Sequence, residues 1–244
     1  MSANLTHIII LPYRDRLDEL TEFNTIMPPV FNHDICDRQS GSWEIWYIQQ
    51  NDKKPFNRGA LLNIGAREVI TRYGHLDNHH YHNITLIFHD VDITITNPAV
   101  IQYECAVGSV RHQYGEVDVN KGPLLGCFCI IHVGDFISSG GFPNYYGWGV
   151  EDLTFGYRCL AHKINIDESG IIPRYSHPDI IDKPSHTTPD KLTYIRACHT
   201  RNIAKLRGEN PNNPTDTYLS PKYRILSTTT YTENIKLFDV DFSL

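Results

Sequence analysis

Two pairs of acids in this chain are placed to do chemistry. The first is Asp90-Val91-Asp92, which ends the apolar run Leu86-Ile87-Phe88. Residues 85–88 are β-branched, aliphatic and aromatic, so they read as a buried strand with the acids at its C-terminal end. That end is where open α/β sheets bind ligands. On an extended chain Asp90 and Asp92 point to one side and Val91 points into the body. Convergent carboxylates of this kind hold a hard divalent cation, and such a cation holds a diphosphate. The triplet alone is equally what a solvated turn looks like, so other residues must decide. The second pair, Glu151-Asp152, closes a run of glycines and aromatics, Gly140-Gly141-Phe142-Pro143-Asn144-Tyr145-Tyr146-Gly147-Trp148-Gly149-Val150. Glycines let a backbone turn tightly and approach a ligand. Tyr and Trp rings offer flat apolar faces with a polar edge, the shape that packs on a sugar. An acidic helix start after a hydrophobic loop accounts for the same residues when they are taken alone.

The elements that must position these acids follow from the apolar pattern. Residues 7–11 form a β-branched first strand, ended by Pro12-Tyr13-Arg14-Asp15-Arg16. Leu17, Leu20 and Phe23 predict a helix over 17–26, which Pro28-Pro29 should stop. Residues 43–49 read as a second strand, and 60–73 as a second helix behind Phe56-Asn57-Arg58-Gly59. A loop with His75, His79, His80 and His82 leads to the central strand; these histidines read as a solvated loop, not a metal cluster. Strand, helix, strand, helix, strand argues an α/β fold, with a parallel sheet covered on both faces. In the second half, residues 101–105, 108–110 and 124–133 read as short strands and 153–162 as a helix. A proline-punctuated stretch carries His177 and His186; residues 194–206 suggest a helix and 223–242 a closing pair of strands. No linker or repeat separates the halves. One domain is expected, with a nucleotide-binding half (1–100) and an acceptor-binding half (101–244).

Bulk properties narrow the partners. The chain has 244 residues, 41% hydrophobic and 20% charged, enough for a sizeable core. A net charge of −6 argues against non-specific nucleic-acid binding, which depends on Lys and Arg. An anionic nucleotide must then be held by local cations, not by the bulk field. No apolar run reaches the roughly 20 residues of a membrane span, and no secretory signal is expected. The cysteines, Cys36, Cys105, Cys127, Cys129, Cys159 and Cys198, contain no Cys-x-x-Cys pair and read as free thiols of a reducing compartment.

Taken together, the motifs resemble the beta-1,4-galactosyltransferase family along nearly the whole chain. The resemblance rests on five ordered segments: Pro12-Tyr13-Arg14-Asp15-Arg16, Phe56 through Leu61-Leu62-Asn63, Asp90-Val91-Asp92, Gly141 through Glu151-Asp152, and the late Tyr223-Arg224-Ile225-Leu226. It implies a GT-A, Rossmann-like fold with a mixed central sheet. It also implies an inverting transferase that uses Mn²⁺ to move galactose, or N-acetylgalactosamine, from a UDP-sugar to a terminal sugar hydroxyl of a glycan, in a 1,4-linkage. By the same resemblance, donor contacts fall to Pro12, Arg14, Arg16, Phe56, Arg58, Asp90, Val91, Asp92, Leu124 and Trp148. Acceptor contacts fall to Tyr146, Trp148, Glu151 and Asp152, with Asp152 as general base. Asp92 ligates the metal, joined by His177 or, as the alternative, His186. UDP-glucose is the rival donor, and a non-catalytic glycan-binding module the rival class.

The chain departs from the family in places. Leu153 interrupts an acidic run that usually continues past Glu-Asp, and Leu124 (or Leu125) stands near a tyrosine that limits the donor pocket in galactose-transferring vertebrate members. The family is mostly Golgi-lumenal, with an anchor and disulfides. This chain shows neither, so the expectation is a soluble cytoplasmic relative, which the free-thiol reading of the cysteines favours, or else an anchor that was cut off.

Overall fold

The computed structural model describes residues 5–74, 84–117, 122–183 and 189–244. The His-rich loop, apart from Gly74, and His186 fall outside them. In chain order the elements are β1 (His7–Tyr13), α1 (Leu17–Phe31), a π-helical segment (Asn32–Arg38), β2 (Trp43–Gln50), α2 (Arg58–Tyr73), β3 (Thr85–His89) and β4 (Ile93–Ile95). Then come β5 (Ser109–Gly115), β6 (Phe128–His132), α3 (Val133–Ser139), α4 (Glu151–Ala161), β7 (Asn165–Asp167), β8 (Ile172–Pro173) and β9 (Ile180–Asp182). α5 (Pro189–Gly208), β10 (Lys222–Thr232) and β11 (Ile235–Ser243) complete the chain.

Among the described residues the main sheet runs β10-β11-β2-β1-β3-β6-β5-β7, with β8 also on β5. β1 pairs in parallel with β2 and β3, while β6 is antiparallel to β3 and β5. The sheet is therefore mixed and passes without a break from the first half of the chain into the second. Side chains of β1 alternate between two cores. Ile8 and Ile10 pack with Trp46, Leu86, Phe88 and the apolar face of α2. Ile9 and Leu11 pack with Tyr47, Ile87 and α1 residues Phe23, Met27 and Phe31. Both faces are covered, which is what near-continuous apolar strands require.

Three sequence expectations need correction. Pro28 and Pro29 lie inside α1 and do not end it. Each lacks the N–H that would bond back one turn, at a cost of about 3 kcal/mol or more in a helix interior. Burial of Met27, Val30 and Phe31 holds the helix through them, and the chain then widens into the π segment, where Asn32 N–H donates to the Pro28 and Pro29 carbonyls. Residues 101–105 form no strand, although Ile101 and Tyr103 are buried; Tyr103 N–H donates to the Asp34 carboxylate, 2.6 Å, in place of a ladder. Of residues 124–133 only β6 is strand, and its end turns directly into α3, which the pattern did not suggest.

One buried cation holds the second half together. Arg158, on α4, has no solvent exposure. Its guanidinium donates to Glu209 (2.6 Å), Asp216 (2.7 Å) and the Gly141 carbonyl (2.8 Å), so helix, glycine-aromatic loop and late polar loop meet on it. Burial alone would lower its pKa, but Glu209 and Asp216 outweigh that and hold it above the ordinary range. Arg158→Leu leaves Glu209 without its cation, and breaking a buried pair from one side costs about 3–5 kcal/mol. Urea denaturation should show that loss; an unchanged midpoint would refute the assignment.

Candidate active site

The Asp-Val-Asp segment is a turn and not an extended end of β3. Ile93 N–H donates to the Asp90 carbonyl, 3.3 Å, and the chain re-enters a strand at β4. Val91 is buried at 4% exposure, as the alternation requires. The turn, and not strand periodicity, sets the two carboxylates. Each leaves the turn to meet its own arginine. Asp90 Oδ1 accepts from Arg58 Nε at 2.8 Å, and Asp92 Oδ2 accepts from Arg16 Nη1 at 2.5 Å. Burial raises the Asp92 pKa, the Asp90 charge raises it further, and Arg16 opposes both.

Arg58 joins the two acidic pairs. It is the first residue of α2, whose N-cap Asn57 accepts from Ala60 N–H at 2.9 Å. From there the guanidinium reaches Asp90 on one side and Glu151 Oε1, 3.7 Å away, on the other. Its pKa is held above the usual range: burial pulls down, but Asp90, Glu151 and Asp152 together pull up harder. Arg58 Nη1 is buried and makes no hydrogen bond. A buried cationic N–H without an acceptor suits an anionic oxygen.

The acidic end of α4 is set by its approach. Gly147 (φ 88°) and Gly149 (φ 90°) bracket Trp148, which stands 57% exposed; a side chain at Gly147 would collide with Cys198 on α5. Val150 (φ 79°) then starts the helix, and Glu151 and Asp152 occupy its first turn, where the dipole favours them. Asp152 packs on the start of β6: a Cβ on Gly126 would lie 2.6 Å from Asp152 Oδ2. The adjacent Cys127 carbonyl accepts from Asp90 N–H, 3.1 Å, so the Asp-Val-Asp turn and Asp152 share the 126–127 backbone.

Burial pushes the Glu151 carboxyl up to about 7, and the Asp152 charge pushes the same way against Arg58. A carboxyl raised from its ordinary 4.5 binds more protons folded than unfolded between that value and about 7. Glu151 therefore contributes stability that grows as pH falls from about 8 to about 5.5, while the buried neutral His7, His89 and His112, whose pKa values burial lowers from 6.5, oppose it at the acid end. In thermal melts across that range the wild type should gain stability relative to Glu151→Gln. Equal slopes in the two proteins would contradict this reading.

Remaining sequence candidates divide. Pro12 is buried, and Arg14 donates to the Lys54 carbonyl, 2.8 Å, with its guanidinium 5.4 Å from the Phe56 ring centre. Phe56 accepts Gly147 N–H through its carbonyl, 2.8 Å, so it supports the aromatic loop. Leu124 is half-buried while Leu125 belongs to the core, which leaves Leu124 as the one of the two that can face a ligand. Tyr146 stacks on Phe242 with ring centres 6.3 Å apart, so its ring packs the loop against β11. β9 pairs antiparallel with β4 so that Ile180 faces Ile95 and Asp182 faces Ile93, and Lys183 N–H donates to the Asp92 carbonyl. His177 precedes β9 in a turn, where its carbonyl accepts Ile180 N–H at 3.2 Å, and Tyr175, two residues before it, feels the Asp92 charge. The alternative, His186, lies outside the described residues; in sequence it follows Lys183 by three positions. No group of three or more His, Cys, Asp or Glu side chains arranged for a metal occurs among the described residues. The donor chemistry still fits a hard cation: two carboxylates on one turn, each balanced by an arginine that an ion can replace.

Sequence reasoning missed Asn63 and Gly59 as the reason two motifs occur together. Asn63 Nδ2 donates to the Phe142 carbonyl (2.8 Å) and Asn144 Oδ1 (3.0 Å), and its Oδ1 accepts Phe142 N–H. A Cβ at Gly59 would strike the Pro143 carbonyl at 2.1 Å. The Phe-Asn-Arg segment and the Gly-Phe-Pro-Asn loop are one packed unit, and the hint was the Asn in each.

Two family models match in succession: the N-terminal region of glycosyl transferase group 7 over residues 2–106, and a galactosyltransferase model, described as its N-terminal domain, over residues 112–180. A xylosylprotein 4-beta-galactosyltransferase of Caenorhabditis elegans is 34% identical over 163 residues, 65% of this chain and 51% of the relative. Beta-1,4-galactosyltransferase 1 of Bos taurus is 31% identical over 208 residues, 83% of this chain and 48% of the relative. The chain thus spans about half the length of the curated relatives it matches. The catalytic domain of Drosophila beta-1,4-galactosyltransferase 7, solved with xylobiose, superposes with a TM-score of 0.67 at 18% identity, covering 98% of this chain and 95% of that one. A mutant of that domain was solved with manganese, UDP-Gal and xylobiose. The structural match establishes the GT-A galactosyltransferase fold. Among the described residues no helix is long and apolar enough to cross a membrane.

Proposed function

This chain belongs to the glycosyl transferase group 7 family of beta-1,4-galactosyltransferases, and from that premise we propose that it transfers galactose, or N-acetylgalactosamine, from a UDP-sugar to a terminal sugar hydroxyl with inversion. The observation that carries the reading is Arg58, which links Asp90 to Glu151 and so brings the two acidic pairs into one site.

Asp92 is the metal ligand of this reading, with His177, or as the alternative His186, as the second, and Mn²⁺ is the ion. When bound, such an ion offsets the charge that grows on the diphosphate as the sugar leaves. The chain's own groups supply the rest. Arg58 Nη1, ion-paired to Glu151 at 3.7 Å but making no hydrogen bond, donates to a phosphate oxygen, and Arg16, once released from Asp92, adds a second cation. Trp148, exposed between its two glycines, lies over the sugars. Glu151 orients the acceptor. Asp152 accepts the proton of the acceptor hydroxyl as that oxygen attacks the anomeric carbon from the face opposite the diphosphate. Positioning and charge neutralisation supply most of the rate.

The test is UDP release with Mn²⁺ from UDP-galactose, UDP-N-acetylgalactosamine and UDP-glucose across a panel of simple glycosides. Release with either of the first two, dependent on acceptor, is expected. Glycan binding without release from any donor would mean a binding module instead.

A further inference from the structure

The backbone that both acidic pairs share, Gly126–Cys127, is strained. Cys127 stands at φ 66°, a left-handed conformation that suits glycine and not a residue with a side chain. Such backbone persists only where its neighbours over-determine it, and it gathers at working sites. The Cys127 carbonyl accepts from Asp90 N–H at 3.1 Å, and a Cβ on Gly126 would lie 2.6 Å from Asp152 Oδ2. The Asp-Val-Asp turn has further ties, to Arg58 and to Arg16. Asp152 accepts from Leu153 N–H, its own neighbour on α4, at 2.8 Å, so its place at the approach to β6 is set by packing on Gly126.

Support for that backbone comes from β5. Arg111 faces Ile130 and Tyr114 faces Phe128, so β5 spends three residue steps against two on β6. A bulge of this kind re-aims a side chain. Here it carries His112, which is fully buried, and its ring Nε2 lies 3.0 Å from the Gly126 carbonyl. A carbonyl oxygen only accepts, so Nε2 carries the proton and donates it. The ring fits because residue 115 has no side chain: a Cβ on Gly115 would fall 2.5 Å from Nε2. On the other side of the ring Nδ1 is buried without a hydrogen bond, 3.6 Å from Glu168 Oε1. Burial lowers the ring's pKa, against the charges of Glu168 and Asp152, and keeps it neutral.

We propose that His112 is a positioning residue for the transfer: its bond to the Gly126 carbonyl holds the Gly126–Cys127 bend, and the bend sets Asp152 against the acceptor hydroxyl. The proposal deepens the transferase reading and rests on it for the role of Asp152. Without the bond Cys127 relaxes toward negative φ, the Gly126–Cys127 peptide rotates, and the surface on which Asp152 packs is withdrawn. Transfer slows because the base is misplaced. UDP and Mn²⁺, held from the Asp-Val-Asp side, bind as before.

His112→Met and His112→Gln separate the bond from the volume. The two side chains are nearly the same length, and only glutamine brings an N–H to the place of Nε2. Each variant is measured for kcat with the donor and acceptor found for the wild type, for UDP affinity with Mn²⁺ by calorimetry, and for its urea midpoint. His112→Met is expected to lower kcat about 10–100-fold, the scale of a small misplacement, with UDP affinity within about twofold of wild type. His112→Gln should keep most of the wild-type kcat. Adding Cys127→Gly to His112→Met should restore part of the loss, because glycine holds positive φ without strain. A role in stability alone would lower the urea midpoint of both variants and leave kcat of the folded protein unchanged. Gly115→Ala reaches the same bond from the other side, crowding the ring off the carbonyl with His112 still present, and decides the matter if His112→Met does not fold. Wild-type kcat in His112→Met or in Gly115→Ala, or equal losses in the Met and Gln variants, would overturn the proposal. Failure of the transferase reading shows differently, as no UDP released from any donor by the wild type itself.

Discussion

Asp152→Asn is expected to bind UDP-galactose and Mn²⁺ as the wild type does and to transfer sugar about 10²–10⁴-fold more slowly, the usual contribution of a positioned general base. The substitution keeps the shape of the side chain. Its oxygen still accepts Leu153 N–H, and its other terminus still lies against Gly126, which has no side chain to crowd it. What is lost is the capacity to take a proton. Glu151 cannot replace it, because its carboxyl is directed toward Arg58 and holds its own proton up to about pH 7. The loss should therefore fall on kcat, with donor affinity preserved. Residual transfer within tenfold of wild type would remove Asp152 from this role.

Asp92→Asn acts on the other side of the cleft and should fail earlier, at donor binding. In the absence of an ion Asp92 is balanced by Arg16, and with an ion present its carboxylate is the charged ligand assigned to the metal. Partners that merely support metal ligands cost roughly 10–100-fold when removed, so loss of the ligand itself should cost at least that in Mn²⁺-dependent UDP affinity. Calorimetry of UDP with and without Mn²⁺ reads the effect directly. His177→Ala should weaken the Mn²⁺ response as Asp92→Asn does, and a wild-type response in His177→Ala with a loss in His186→Ala would give the second position to His186. A wild-type Mn²⁺ response in Asp92→Asn would end the metal assignment.

Much of the site was legible from residue order alone. Strands β1, β2 and β3, helices α2 and α4, and the acidic start of α4 lie close to where apolar periodicity and capping rules put them. Those rules read local chemistry, and these elements are locally consistent. Errors arose where tertiary contacts overrode local preference. Pro28 and Pro29 remain helical because the residues around them are buried. Asp90 and Asp92 lie on a turn instead of an extended strand end, and Arg58 and Arg16, 32 and 76 residues distant in sequence, each bond one of them. β11 inserts parallel to β2 instead of merely closing a hairpin with β10, a pairing no local pattern announces. Arg158 was invisible for a related reason: a lone arginine in an amphipathic helix looks like surface until Glu209 and Asp216 are brought to it.

The reading depends on both acidic pairs serving one displacement, with a cation on the leaving diphosphate and a base on the opposite face. Proton NMR of a reaction containing UDP-galactose, Mn²⁺ and an acceptor glycoside observes that displacement itself. A new β-anomeric galactose signal is expected, growing with UDP release and absent when Mn²⁺ is withheld. An α-anomeric product, or equal transfer without metal, would contradict it.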